Sequence, residues 1–233
     1  MTLLCITLSC NIVKAMPRAA DPAMRPLLVQ AAARLLSEHG PDAVTARRLA
    51  AEVGASTQAV YTYFDGIDDL VSEVWREGYR RFAVALDAPA ITDDPVADWM
   101  EQGWRYRKFA RTEPHLYRVM FGDGFQQLRH GRPEDVEAAG ATFEQLLTRI
   151  QRCVTAGRLA VDDVFTAGDV VWGTVHGLVL IELPGYYDYL GRSPITTYEH
   201  GMRVLALGMG DDPARVEASL TAARKRATEA GLL

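Results

Sequence analysis

The chain has 233 residues, 48% apolar and 24% charged, the balance of a folded globular protein rather than a disordered or fibrous one. Its net charge is −5, and its three cysteines, Cys5, Cys10 and Cys153, have no metal-ligand spacing, which excludes a disulfide-stapled miniprotein and fits a reducing compartment. No apolar run reaches the ~18–20 residues of a membrane helix, so the chain reads as cytoplasmic, with no membrane partner.

Charge is unevenly placed. Residues 1–64 carry a net +2 and the remainder a net −7, a mildly basic front on an acidic body. The apolar stretch Leu3–Leu8 has no basic residue before it and Lys14 after it, the reverse of a secretory signal. Residues 1–24 are therefore expected to form a flexible N-terminal tail, with Met16 or Met24 as alternative starts.

From Arg25 the residues Leu27, Leu28, Ala31, Ala32, Leu35 and Leu36 recur at helical spacing, and His39-Gly40-Pro41 ends the helix. Thr45 is placed to cap a second helix with Leu49, Ala50 and Val53 facing inward. Gly54-Ala55 makes a turn, and Ser56 caps a third helix that turns Val60 and Phe64 to the core. Two short helices about a glycine turn describe a helix-turn-helix. The third helix presents Ser56, Thr57, Gln58, Tyr61, Thr62 and Tyr63, all hydrogen-bonding and none acidic. That composition suits phosphate oxygens and base edges better than a merely solvated face, where Glu and Lys prevail. The alternative is that Tyr61 and Tyr63 pack at the junction with the next helix.

These residues carry a resemblance. Leu28-Val29-Gln30-Ala31-Ala32, Glu38-His39-Gly40, Thr45–Ala50, Val53–Ser56, Val60–Phe64 and Asp68-Asp69-Leu70 resemble, in order and spacing, the DNA-binding domain of the TetR family of bacterial transcriptional regulators. The resemblance implies a phosphate contact for Thr45, a basic contact at Arg47, groove-reading roles for Ser56, Thr57 and Gln58, and phosphate grips for Tyr61 and Tyr63. Ile67 stands where the family usually has a lysine, which removes one phosphate anchor and about one counterion from the salt dependence.

Beyond Asp69 the chain reads as helical throughout. Leu70, Val74, Trp75, Tyr79, Phe82 and Leu86 stripe one long helix that joins front to body. Pro95 opens a helix bearing Val96, Trp99, Met100, Trp104 and Phe109, and Pro114 opens a short one to Phe121. A loop is expected over 122–131 and a helix from Pro133 to about Thr155. Asp163 to Leu183 follows, with Trp172 and His176 on one face and Gly173 and Gly177 beside them. Together with a helix at about 196–207, bearing Met202, Val204, Leu205 and Leu207, it is what a symmetric four-helix dimer interface would use. The segment after Asp211 reads as a final exposed helix without an assigned role.

Trp172, His176 and Gly177 resemble the Trp-x-x-x-His-Gly signature of one TetR subgroup, and Pro114–Gly122 resembles another recurrent piece. The resemblance implies a helical effector-binding and dimerisation domain. His176 stays open between a packed core histidine, a cavity wall and a metal or catalytic group, and the five histidines show no ligand spacing. Trp104, Met120, Phe121, Phe125, Trp172 and His176 are the candidate effector-pocket residues, with core packing as their alternative.

The expected protein is thus all-α, with a tail over 1–24, a three-helix helix-turn-helix domain over 25–70 and a helical ligand-binding and dimerisation domain over 71–233. Its expected partners are a near-palindromic double-stranded DNA operator, a second copy of the chain and a small-molecule effector. No cofactor, metal or catalytic residue is expected. Two readings compete with this one: an enzyme using Cys153, His176 or Asp162-Asp163, and an oligomeric small-molecule binder with no DNA role. The first lacks any nucleophile elbow, phosphate loop or dinucleotide fingerprint, and the second leaves the polar third helix unexplained.

Overall fold

The computed structural model describes residues 21–87, 91–122 and 133–233. Among these residues there are eleven α-helices, one 3-10 turn at Pro41–Ala43, and no strand. Residues 1–20 of the expected tail, Phe125, and all of the expected loop except Gly122 lie outside the described residues.

The front unit is built from α1 (Met24–His39), α2 (Ala46–Glu52) and α3 (Thr57–Tyr63), closed by the start of α4 (Ile67–Leu86). Gly40, at φ 77°, ends α1, and Gly54, at φ 64°, makes the turn between α2 and α3, where an L side chain would be strained. Thr45 Oγ1 accepts from the Arg48 N–H at 3.2 Å, and Ser56 Oγ from the Ala59 N–H at 3.3 Å, so both expected caps are in place. Leu28, Leu35, Leu49, Val60 and Leu70 fill the centre at 0–1% exposure, each worth about 1.5–3 kcal/mol of burial.

Six further helices and one short turn of helix form the body: α5 (Pro95–Thr112), α6 (Pro114–Phe121), α7 (Pro133–Thr155), α8 (Val164–Glu182), α9 (Tyr186–Tyr189), α10 (Pro194–Gly208) and α11 (Pro213–Glu229). Helix α5 is the hub, touched by α4, α6, α7, α8 and α11. Asp94 caps it by accepting from the Val96 and Ala97 N–H groups, with Pro95 at the position where a missing N–H costs nothing.

Burial on all sides forces the polar residues of α5 to find partners. Asp98 pairs with Arg152 at 3.0 Å and with Arg226 at 3.1 Å, Glu101 with Arg105 at 2.9 Å, and Arg107 with Glu182 at 2.6 Å. Gln102 is buried like them and, among the described residues, has no hydrogen-bond partner.

The C-terminal helix corrects one expectation. Helix α11 is not a detached exposed helix; it lies along α5 and buries Val216, Ser219, Leu220, Ala223 and Ala227. Its anchor is ionic as well as apolar. Arg158 sits between α7 and α8 and donates to Asp211 at 2.7 Å, to Asp94 at 3.0 Å and to Ser219 at 3.0 Å.

Helix α8 is long and apolar enough, by length and composition alone, to cross a membrane, which no run in the bare sequence suggested. Ala167, Gly168, Val171, Val175 and Val179 pack it into the bundle, while Val170, Leu180 and Ile181 face outward. On α10 the expected interface residues divide: Met202 and Leu205 turn into the core, and Val204 and Leu207 are exposed.

Candidate functional site

Helix α3 stands at the surface with Val60 and Phe64 as its anchors, so the remaining residues are free to face a partner. Thr57, Gln58 and Tyr61 are exposed, and among the described residues none makes a side-chain hydrogen bond. Arg47 projects from α2, also exposed and without an ion pair among the described residues. Thr45 and Ser56 use one oxygen lone pair each as helix caps, which leaves their hydroxyl hydrogens available to an acceptor.

Two residues of the set are engaged elsewhere. Thr62 Oγ1 donates to the Gln58 carbonyl at 3.0 Å within the helix. The Tyr63 hydroxyl donates to the Asp21 carbonyl at 2.8 Å, which ties α3 to the turn that precedes α1. The front unit thus offers amide, hydroxyl, phenol and guanidinium donors on one side with no carboxylate on α3 itself, an arrangement that can bridge phosphates and read base edges.

A second feature lies in the body. A cavity of about 270 Å³ opens between α4, α5, α6, α7, α8 and α10. Helix α4 contributes Tyr79, Phe82 and Leu86, and α5 contributes Trp99, Gln102, Gly103 and Tyr106, each set at the three- and four-residue spacing of one helical face. Phe121, Phe143, Leu146, Trp172, Val175 and Met202 close the remaining walls. Tyr198 crosses beside the cavity, its hydroxyl donating to the Gly103 carbonyl at 2.7 Å; a Cβ on Gly103 would meet that oxygen at 2.9 Å.

Of the six residues expected around a pocket, Phe121 and Trp172 line this cavity. Trp104 does not. It sits about 150° around α5 from the centre of the lining face and packs its ring 4.8 Å from Tyr198. Met120 does not either, because it seats against Gly78 of α4 and joins α6 to α4. His176 supports a wall rather than forming one: its Nδ1 lies 2.8 Å from both the Tyr106 and the Tyr117 hydroxyls, which are 3.0 Å apart. Trp172 lies beside it, its ring centroid 5.4 Å from that of His176.

Burial lowers the pKa of His176 from its ordinary 6.5, and burial raises that of Tyr106 well above the usual tyrosine range. At neutral pH the imidazole is therefore uncharged, and the phenols keep their protons. The Trp-x-x-x-His spacing is thus explained by a polar knot inside a ring cluster. Among the described residues no group of three His, Cys, Asp or Glu side chains is placed to hold a metal ion. Cys153 is fully buried, and desolvation pushes its thiol up to about 12, so it stays protonated.

Sequence reasoning missed most of the cavity, including Gln102, Tyr106 and the α4 wall. Helical spacing on α4 and α5 marked an apolar face but not that part of it stays open.

Front unit and cavity share a helix. Helix α4 starts in the front unit, where Leu70 and Val74 are buried, and reaches the cavity at Tyr79, Phe82 and Leu86. Helix α6 makes a second link, through Ser37 Oγ of α1, 2.7 Å from His115 Nδ1.

A family model described as "Bacterial regulatory proteins, tetR family" matches residues 28–74, and one described as "Tetracyclin repressor-like, C-terminal domain" matches residues 99–205. The chain is 26% identical over 189 residues to the uncharacterized HTH-type transcriptional regulator Rv0681 of Mycobacterium tuberculosis, covering 79% of this chain and 82% of the relative. It is 27% identical over 145 residues to the HTH-type transcriptional repressor AcnR of Corynebacterium diphtheriae, covering 59% and 68%. Among solved structures, the TetR family regulator PfmR of Thermus thermophilus superposes with a TM-score of 0.62 at 18% identity, covering 77% of this chain and 96% of that one. With both regions matched and the helix-turn-helix in place, the chain belongs to the TetR family of DNA-binding transcriptional regulators.

Proposed function

We propose that this regulator is a cytoplasmic homodimeric repressor that leaves its operator when a small molecule occupies the cavity. The observation that carries the reading is the continuity of α4, one rigid element that supports both the reading unit and a cavity wall. A ligand that prefers one setting of α4 shifts the spacing of the two reading heads, by as much as its affinities for the two settings differ. The relative named as a repressor supports the sign of regulation.

In this reading Gln58 and Thr57 read base edges in the major groove, and Tyr61, Thr45, Ser56 and Arg47 hold phosphates. Thr62 and Tyr63 contribute at the margin, since both hydroxyls already donate within the chain. The second copy docks on the outward stripe of α8 and α10. Val170, Leu180, Ile181, Val204 and Leu207 are exposed there, and a Cβ at Gly173, Gly177 or Gly208 would meet nothing within 4 Å. An apolar helix open on that stripe supports burial against its symmetry mate. The polar knot around Trp172 and His176 supports placement in the Trp-x-x-x-His-Gly subgroup. The reading unit spans 25–70 and the effector unit 71–233, with the turn at Asp21 and the first residue of α1, Met24, joining the reading unit rather than a tail.

The test is a gel shift against the DNA upstream of the gene and its neighbour, across a salt series with random competitor. A discrete complex with two chains per site, surviving competitor, supports the reading. Smearing that any DNA removes equally would leave only nonspecific charge attraction.

A further inference from the structure

We infer that the cavity takes a small uncharged molecule with a flat apolar body and one carbonyl or hydroxyl group, read by Gln102; this rests on the reading of the cavity as the effector site. Gln102 is 4% exposed, lines the cavity and, among the described residues, has no hydrogen-bond partner. Its neighbours on α5 show what burial there demands: Asp98, Glu101 and Arg107 are all ion-paired. Its amide opens onto the cavity rather than being sealed from solvent, so a ligand carbonyl or hydroxyl can take the place of water there.

Of the other polar groups on the wall, the Trp99 indole can only donate. Tyr106 is held by His176 and Tyr117, and Thr142 Oγ1 donates to the Ala139 carbonyl at 2.8 Å. Gln102 alone can then choose between donating to a carbonyl and accepting from a hydroxyl.

Charge narrows the class further. Among the described lining residues there is no Arg, Lys or His, so a carboxylate or phosphate would lose its hydration without gaining a counter-charge. The one ionisable acid among them, Asp169, is solvent-exposed, where an ion pair with an ammonium contributes little. Shape supplies the rest: the rings of Trp99, Tyr106, Phe143 and Trp172 offer flat apolar faces. An apolar cavity of about 150 Å³ accommodates benzene, so 270 Å³ suits a fused two-ring body of roughly ten to fifteen non-hydrogen atoms.

The experiment is calorimetric titration of the full chain with four probes of one shape: 2-naphthol, naphthalene, 2-naphthoate and 2-naphthylmethylammonium. The expected result is one 2-naphthol per chain, with 2-naphthoate and the ammonium each at least about tenfold weaker. Gln102→Leu should weaken 2-naphthol about tenfold or more and leave naphthalene within about threefold, and Gln102→Met should repeat that pattern. Retained naphthalene binding shows that the variant cavity is intact.

The inference is overturned if 2-naphthol does not bind, if 2-naphthoate binds as well, or if Gln102→Leu leaves 2-naphthol unchanged. Tightest binding by the ammonium, lost in Asp169→Asn, would also overturn it. A separate gel shift with 2-naphthol distinguishes the two claims. Gln102-dependent binding that leaves the DNA complex intact upholds the ligand class and removes the effector reading.

Discussion

Gln58 and Tyr61 are exposed on a helix anchored by Val60 and Phe64 and capped by Ser56, so removing their polar groups leaves the fold untouched. Gln58→Ala with Tyr61→Phe is expected to abolish discrete operator shifts while helicity and oligomeric state stay unchanged. Each lost base or phosphate contact costs about 1–3 kcal/mol, roughly tenfold in affinity or more. A lost dimer would instead show these residues to be structural. Tyr63→Phe should have a smaller effect on DNA, because its hydroxyl is committed to Asp21.

His176 gives a second residue-scale prediction, in pH. Its pKa is lowered by burial from 6.5, so the unfolded chain binds the proton more readily than the folded one. The stability that His176 confers is complete above pH 6.5 and is lost as the pH falls toward its depressed folded value. Melting temperature should therefore drop below that pH, and His176→Gln should flatten this part of the profile; an unchanged slope would remove the imidazole from the account. The spacing of Trp172 and His176 was legible in the sequence, but its partners were not. Tyr106 and Tyr117 lie 70 and 59 residues away from His176, on helices that no local pattern brings together.

At the level of elements, caps and breakers declared themselves early. Thr45, Ser56, Pro95, Pro114, Pro133 and Asp163 start helices for reasons of single residues, while the helix read from about 196 opens at Pro194. Which side of a helix faces the core was less legible where both sides are apolar. On α10 Leu205 faces inward and Val204 outward. Val204→Glu is therefore expected to give folded monomers in sedimentation with poor operator affinity, whereas Leu205→Glu would damage the core as well. A Val204→Glu protein that sediments as a dimer contradicts the proposed interface.

Helix α11 hid for a different reason. Its buried stripe at Val216, Ser219, Leu220, Ala223 and Ala227 has helical spacing but is mostly small residues, so it reads as a solvated helix. Arg158→Met removes the cation that holds Asp211, Asp94 and Ser219 together, leaving the buried Asp211 without its ion pair. The expected loss is about 3–5 kcal/mol in chemical unfolding. A loss under about 1 kcal/mol would mean that α11 is held by its apolar stripe alone.

For the molecule as a whole, sequence pattern was enough for an all-helical chain with a helix-turn-helix in front, because α2 contacts both α1 and α3 within a few dozen residues of chain. The cavity was out of reach. Its walls come from positions 79 to 202, and a void leaves no mark in periodicity: the residues that border it are as apolar as those that fill a core. What unites the two regions is α4, and through it the account makes DNA affinity answer to a state of the body.

The most direct measurement is selection of genomic fragments by the full-length protein, followed by footprinting of the fragments retained. The account predicts one protected inverted repeat, its half-sites about one helical turn (~34–36 Å) or a multiple apart, with protection lost in Gln58→Ala/Tyr61→Phe. Retention of fragments with no shared sequence, or protection unaffected by that double substitution, would contradict it.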